Sequence, residues 1–478
     1  MRVKQLARLM VVALGATLGV ASPLSSGVAH ADSTVGLGIT TYSQMVVDSA
    51  RGHLFFSPGR TGSGVRVTDL VGGSQTTIAN LPDASGMALS PDGATLHVAL
   101  IQAGAIAAID TRTLTETRRY SIGAGTCPTW LAPAGGKLYF GYGCTYGKGL
   151  LGSLDLRGAA PVVALGLPLN GTFVRPPLLR SSPADPDLLF VADQSSVTTP
   201  SSGRATVYDV SSGTPALVAS MPSDTCTGLH DAALTPDASR VILGCSFLNG
   251  DQTAAATQHV GFSTTDLSAA GGYPSGTWPT AVTTSPNGSF VIVANTNRSA
   301  ETSSTIRVER LDGSLVRSYK LPTDTHVERQ GLAVSADNRT LYAVTTDHTG
   351  TNPTLRLLTD FTKAESSLTL SAPTSTYRTK VTVTGTLAFT GAAVSSPRTL
   401  QVAKRDRFGT HVLPNVTTTA NGTFSFTDTP RFGGANTYTV TFPGDAGHLA
   451  SSRSVTVQVS LFTTATTRQP AAGVAPRR

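Results

Sequence analysis

The sequence predicts an all-β chain, a seven-bladed β-propeller followed by an immunoglobulin-like β-sandwich. Three observations carry that expectation. A unit of two apolar segments around a tight turn recurs along most of the chain. The recurrence has the period of four-stranded blades. After Phe361 the texture changes to seven short segments that alternate apolar and polar residues. The composition agrees: 14% charged residues and 48 glycines in 478 suit short strands joined by many turns.

The repeat is plainest in three places. Met87-Ala-Leu-Ser-Pro-Asp-Gly-Ala-Thr-Leu-His-Val-Ala, Ala281-Val-Thr-Thr-Ser-Pro-Asn-Gly-Ser-Phe-Val-Ile-Val and Leu332-Ala-Val-Ser-Ala-Asp-Asn-Arg-Thr-Leu-Tyr-Ala-Val align on their turns. Weaker copies start near Met45, Leu131, Leu178 and Ala232. Pro presets φ for the turn, and Asp, Asn or Gly accept the left-handed conformation that follows. Successive starts lie roughly 41 to 54 residues apart. The second blade is expected to use strands at 87–90, 95–100, 105–110 and 116–122. Poor alternation in the innermost strands fits packing on both faces. Seven starts give seven blades; six or eight remain open because the fourth repeat, 178–231, is long and irregular. The last repeat lacks an outer strand, and segment 35–41 is a spare strand that can pair there and close the ring.

The ends of the chain read differently. Residues 1–31 have the form of a secretory signal peptide: Arg2, Lys4 and Arg8, an apolar stretch over 9–20, then Ala29-His30-Ala31. That stretch is too short for a stable membrane span, and no later segment is apolar enough for one. The expected organisation is therefore a signal at 1–31, a propeller over 32–362, a sandwich over 363–460 and a disordered Thr-, Ala- and Pro-rich tail at 461–478. Sandwich strands are expected near 368–370, 380–389, 399–405, 412–419, 422–426, 437–442 and 454–459, with no Cys or Trp among them.

The formal charge of +7 is unevenly placed. The signal and the tail (Arg468, Arg477, Arg478) hold most of it and no acids, so the body is nearly neutral. A neutral body lacks the electrostatic footprint of a nucleic-acid binder. Four cysteines in an exported chain favour two disulfides. Cys127 and Cys144 flank one inner hairpin, and Cys226 and Cys245 hold the equivalent places two blades on, so each pair is expected to face across its hairpin. The competing metal reading lacks a Cys-x-x-Cys or His pattern.

The segments Leu96-His-Val-Ala, Ala107-Ala-Ile-Asp110 and Val291-Ile-Val-Ala-Asn-Thr-Asn297 make residues 35–361 resemble YVTN-type bacterial secreted propellers. Those motifs are specific for fold rather than activity. Asn421-Gly-Thr-Phe-Ser-Phe426 and Tyr438-Thr-Val-Thr-Phe-Pro-Gly-Asp445 resemble the bacterial Ig-like repeat of exported and wall-associated proteins, which implies adhesion or spacing.

Aligning the repeats on their turns places Tyr42, Asp83, Arg175, His230, Asp231, Trp278, Glu328 and Arg329 just before inner strands, ringing the mouth of the central channel. The second-to-third-strand loops on the same face lengthen in the last four blades, at 193–204, 249–259, 295–305 and 346–353. Asymmetric loops over a rigid scaffold are where recognition resides. Trp278 is placed to stack on a sugar ring, whereas Trp130 lies within an inner strand and packs. Asp48, Asp92, Asp237 and Asp337 occupy turns repeated in each blade and are structural. Nucleophile-elbow, zincin, phosphate-loop and calcium-loop motifs are missing, and nothing calls for a cofactor or a metal. The expected role is non-enzymatic binding of a cell-wall glycan or an extracellular protein. The alternative is a lyase, lactonase or glycan hydrolase working at the channel mouth.

Overall fold

The computed structural model describes residues 32–461, apart from 172, 195–203, 223, 250 and 252. The expected signal peptide and nearly all of the expected tail lie outside the described residues. Within them every regular element is a β-strand. Seven four-stranded antiparallel sheets come first. Their first strands are Gln44–Asp48, Ala84–Leu89, Trp130–Ala134, Leu178–Ser181, Cys226–Leu234, Pro279–Thr284 and His326–Val334. Each packs against the first strands of the sheets before and after it, and His326–Val334 packs on Gln44–Asp48. The series thus closes on itself in the manner of a propeller-type fold.

Local chemistry explains the repetition. Between first and second strands, a hydroxyl donates to a carboxylate or amide two residues on: Ser90 to Asp92 at 2.5 Å, Thr235 to Asp237 at 2.5 Å, Ser285 to Asn287 at 2.7 Å and Ser335 to Asp337 at 2.5 Å. The same hydroxyl oxygens accept the amides of Thr95, Arg240, Phe290 and Thr340, which begins the second strand. Third strands end in Asp69, Asp110, Asp155 and Asp209, whose carboxylates accept amides two residues on. Asp48 likewise accepts the Arg51 amide at 3.1 Å. These carboxylates hold turns. Second strands such as Leu188–Ala192 are buried throughout, whereas the outermost strand Thr115–Ser121 is exposed except at half-buried Tyr120. Apolar cores form between neighbouring sheets; Phe55, Val65 and Val67 of the first pack with Met87, Leu96 and Val98 of the second.

Three expectations need correction in detail. The closing strand is Ser33–Gly36, paired antiparallel with 354–357, rather than 35–41. Gly38 turns the chain at φ 64° while buried Leu37 still donates to Pro353 O, so regular pairing ends early. Both disulfides form between the expected partners, with Cα separations of 5.2 Å for Cys127–Cys144 and 5.5 Å for Cys226–Cys245. Only the first continues its ladder register, however; in the second hairpin Cys226 pairs with Leu248 and Cys245 with Leu229, and Gly228 bends the strand at φ 69°. The first strands of the fifth and seventh sheets also start earlier than expected, so His230, Asp231, Glu328 and Arg329 lie inside strands, not before them.

After Thr354–Thr359, the chain passes buried Phe361, whose ring meets Phe290 edge-on at 6.3 Å. A three-stranded sheet (Ser366–Ser371, Val381–Phe389, Thr423–Asp428) then faces a five-stranded one (Ser375–Thr376, Ser451–Ser460, Gly434–Phe442, Thr399–Asp406, Gly409–Thr417). Leu368, Leu387 and Phe424 from the first meet Leu400, Val402, Val440 and Phe442 from the second. The alternation seen in the sequence is the inward half of each strand.

Candidate functional site

An arginine crosses the channel. Arg180, on the first strand of the fourth sheet, donates to Ala232 O at 2.6 Å and to the Asp231 carboxylate at 2.8 Å on the fifth, and to the Gln330 side-chain oxygen on the seventh. Tyr42, leading into the first sheet, donates to Gln330 O at 2.6 Å. Strands on opposite sides of the ring are thereby tied through one polar crossbar. Asp231 also accepts the amides of Val282 (3.1 Å) and Ala232 (2.8 Å). Burial pushes the Asp231 carboxyl above its ordinary range, opposed by the Arg180 charge. Tyr42 is pushed well up by burial and then by the negative charges of Glu328 and Asp231.

Two cavities flank the crossbar. One of about 300 Å3, toward the C-terminal ends of the first strands, has Arg180, Asp231 and Gln330 in its wall. The other, about 190 Å3, opens at the N-terminal ends and is lined by His230, Trp278, Thr280, Thr296, Asn297, Arg298 and Arg329.

Backbone irregularities aim these side chains. A bulge between Leu229 and Asp231 carries His230, and the register shifts again between Val327 and Leu332 around Glu328 and Arg329. Bulges redirect side chains that a regular pleat would alternate. His230 is 2% exposed; its Nε2 lies 2.9 Å from Ser246 Oγ and its Nδ1 has no partner among the described residues. Burial, reinforced by the Arg329 charge, holds its pKa well below the ordinary value, so the imidazole is neutral. Trp278 has φ 65°, and its carbonyl accepts the Thr296 amide at 3.0 Å and the Thr280 hydroxyl at 2.9 Å. Its ring meets Phe247 edge-to-face at 5.6 Å. Arg298 pairs with Glu328 at 2.6 Å, and Glu328 also accepts the Thr346 hydroxyl at 2.6 Å.

Of the eight sequence candidates, Tyr42 and Asp231 take part in the crossbar, His230, Trp278 and Arg329 line the smaller cavity, and Glu328 pairs with Arg298 beside it. Arg175 is exposed beside them, its charge felt at Arg329 and its guanidinium 6.0 Å from the Tyr146 ring. Asp83 stands apart. It is 6% exposed and accepts the Thr61 amide at 2.7 Å between the first and second sheets, holding a loop. Trp130 is buried in an inner strand. Of the long loops, most of 193–204 lies outside the described residues.

Sequence reasoning missed Arg180, Gln330 and Arg298. The available signal for Arg180 was a lone charge in the apolar run Leu178-Leu179 of an inner strand. For Gln330, at φ 57°, no local signal exists. Among the described residues, no three of His, Cys, Asp and Glu are grouped to hold a metal ion.

No family model and no curated protein matches the chain. Solved structures do resemble it. A chain of the mitotic checkpoint complex crystal structure aligns at 15% identity and TM-score 0.50, covering 75% of this chain and 99% of that one. Hydrazine synthase of Kuenenia stuttgartiensis aligns at 16% identity and TM-score 0.49, covering 67% and 96%. The WD40 β-propeller domain of Doa1 aligns at 10% identity and TM-score 0.48, covering 68% and 95%. At 15% identity the first of these likenesses is one of fold and says nothing of ligand or activity.

Proposed function

We propose that the chain is an exported, non-enzymatic binding protein. In this reading residues 32–362 form a seven-bladed ring whose channel mouth recognises a cell-wall glycan or a surface protein. Residues 363–460 serve as an immunoglobulin-like adhesive or spacer module. The observation that carries the proposal is the mouth cavity above the crossbar. An aromatic ring, a neutral histidine and two guanidinium groups line it, while the nearby carboxylates are engaged: Asp231 by Arg180, and Glu328 by Arg298. That inventory suits recognition better than proton transfer, which needs an acid or base poised near the working pH. Two disulfides suit an oxidising compartment.

Pull-down on isolated cell walls, with glycan-array binding of the purified protein, tests the reading. The Arg175→Ala/Trp278→Ala double variant is expected to lose at least tenfold in affinity while still unfolding cooperatively, at a Tm lowered by the lost packing of Trp278 on Phe247. Undiminished binding by a folded double variant would remove the mouth from consideration.

A further inference from the structure

We propose that the far end of the two C-terminal sheets, opposite the point where the chain enters them, docks on an anionic phospholipid bilayer. Arg378, Arg407 and Arg431 meet lipid phosphates, while Phe408 and Leu461 enter the zone between headgroups and acyl chains. The inference rests on the adhesive role proposed for these sheets and names its partner; the channel mouth has no part in it.

Topology gathers the residues. The chain enters beside Ala364, whose amide donates to Gly447 O and whose carbonyl accepts the Leu449 amide, both at 2.9 Å. Ser366–Ser371 leads away from that end, and the antiparallel pairings then bring 377–380, 406–409, 430–433 and Leu461 together at the other. The gathering is contiguous. The Arg378 amide donates to Pro430 O at 3.1 Å and the Tyr377 amide to Ser460 O at 2.9 Å. Leu461 lies against Gly433, and the rings of Phe408 and Phe432 are 4.4 Å apart.

Charge gives that end its sign. Residues 366–461 hold eight Lys and Arg against three Asp and no Glu, so the nearly neutral body conceals a positive C-terminal part. The three carboxylates already have partners: Asp445 has Arg398 and His448, Asp428 has Lys404 and the Tyr438 hydroxyl, and Asp406 has His411 and the Phe408 amide. Arg378, Lys380, Arg405, Arg407 and Arg431 are exposed, and none forms an ion pair among the described residues. Residues 462–478 add three arginines and no Asp or Glu. Clustered Lys and Arg are drawn to anionic lipid, an attraction that salt screens.

Apolar exposure selects a bilayer among anionic partners. Phe408 is 62% exposed and Leu461 60%. The Arg407 guanidinium lies 4.7 Å from the Phe408 ring centroid and 5.4 Å from that of Phe432, and Arg378 lies 5.0 Å from that of Tyr377. A cation held over a ring presents charge and apolar surface together, as the boundary between phosphates and acyl chains requires. Phe408 projects from the turn between Thr399–Asp406 and Gly409–Thr417, and a deformable surface accommodates a projection without a matching groove. A soluble polyanion would pair the arginines and leave Phe408 and Leu461 in water. A neutral apolar surface would cover those two and leave the arginines without counter-charge.

The test is co-sedimentation of the purified full chain with two kinds of vesicle, phosphatidylcholine alone and an equal mixture of phosphatidylcholine and phosphatidylglycerol. Soluble polyphosphate serves as the comparison polyanion. Binding to the mixed vesicles is expected to be roughly tenfold or more tighter than to phosphatidylcholine. It should weaken as salt rises from about 0.1 M to about 1 M. Arg407→Gln/Arg431→Gln and, separately, Phe408→Ala are each expected to weaken mixed-vesicle binding at least fivefold, with circular dichroism confirming that both fold. Phe408→Ala should leave any polyphosphate binding unchanged. Equal binding to the two vesicles, undiminished binding by either variant, or polyphosphate binding as tight as vesicle binding would each overturn the inference. Arg175→Ala/Trp278→Ala is expected to bind vesicles as the parent chain does, and its failure to do so would move the contact away from this end. Loss of the lipid result with cell-wall binding intact removes the bilayer and leaves the channel mouth; the opposite pattern removes the mouth and leaves the bilayer.

Discussion

At the scale of single residues, the decisive distinction is between carboxylates that hold turns and carboxylates that face the channel. Asp92, Asp237 and Asp337 close the hairpin turns, each bonded to a hydroxyl two residues before it. Asp231 instead sits against Arg180 in the buried crossbar. Removing one member of a buried ion pair leaves the other uncompensated, at a cost of about 3 kcal/mol or more, whereas replacing both with apolar groups is far better tolerated. Asp231→Leu is therefore expected to lower stability by about 3 kcal/mol in urea denaturation, and Arg180→Met/Asp231→Leu to recover at least half of that loss. A double variant as unstable as the single one would show that Arg180 and Asp231 do not act as a pair. The turn carboxylates were legible in the sequence because Ser-Pro-Asp-Gly and its variants repeat with one chemistry. The crossbar was not, because it joins Arg180, Asp231 and Gln330 across 150 positions through contacts that leave no local pattern.

At the scale of elements, two kinds of irregularity position the site. Bulges in Cys226–Leu234 and His326–Val334 carry His230, Glu328 and Arg329 at the inner wall. A bulge adds a residue without altering composition, so reading the repeats placed those strands too late and took their residues for loops. Period and turn chemistry survive insertions better than register does, which is why the four-strand unit was visible and the strand starts were not. The other irregularity is the closing strand. Ser33–Gly36 completes the seventh sheet, and Val35 lies against Gly72 and Leu355. Deleting residues 32–36 strips an edge from the last sheet and uncovers Leu355 and Leu357, at a cost of roughly 2 kcal/mol or more. The truncated protein is expected to melt several degrees lower and to be cut first near 354–359 in limited proteolysis. An unchanged Tm would mean that packing between first strands alone holds the ring.

At the scale of the whole molecule, a rigid ring presents two dissimilar ends. One end carries the Ser/Thr–Asp/Asn turns, alike in the second, fifth, sixth and seventh sheets. The other carries the long second-to-third-strand connections and the cavity lined by His230, Trp278, Arg298 and Arg329. Repetition at one end and asymmetry at the other are the reason recognition is proposed at the asymmetric end. The two C-terminal sheets have their own core, as a separate spacer or adhesive module of the kind proposed above requires. Hydrogen exchange of the purified protein, with and without saturating cell-wall fragments, separates these surfaces in one experiment. Protection is expected at 226–231, 278–280, 296–298 and 328–330, with the turns at 90–93 and 235–238 and the sheets of 366–460 unchanged. Protection confined to those turns or to 366–460, with the mouth unaffected, would contradict a recognition site at the channel mouth.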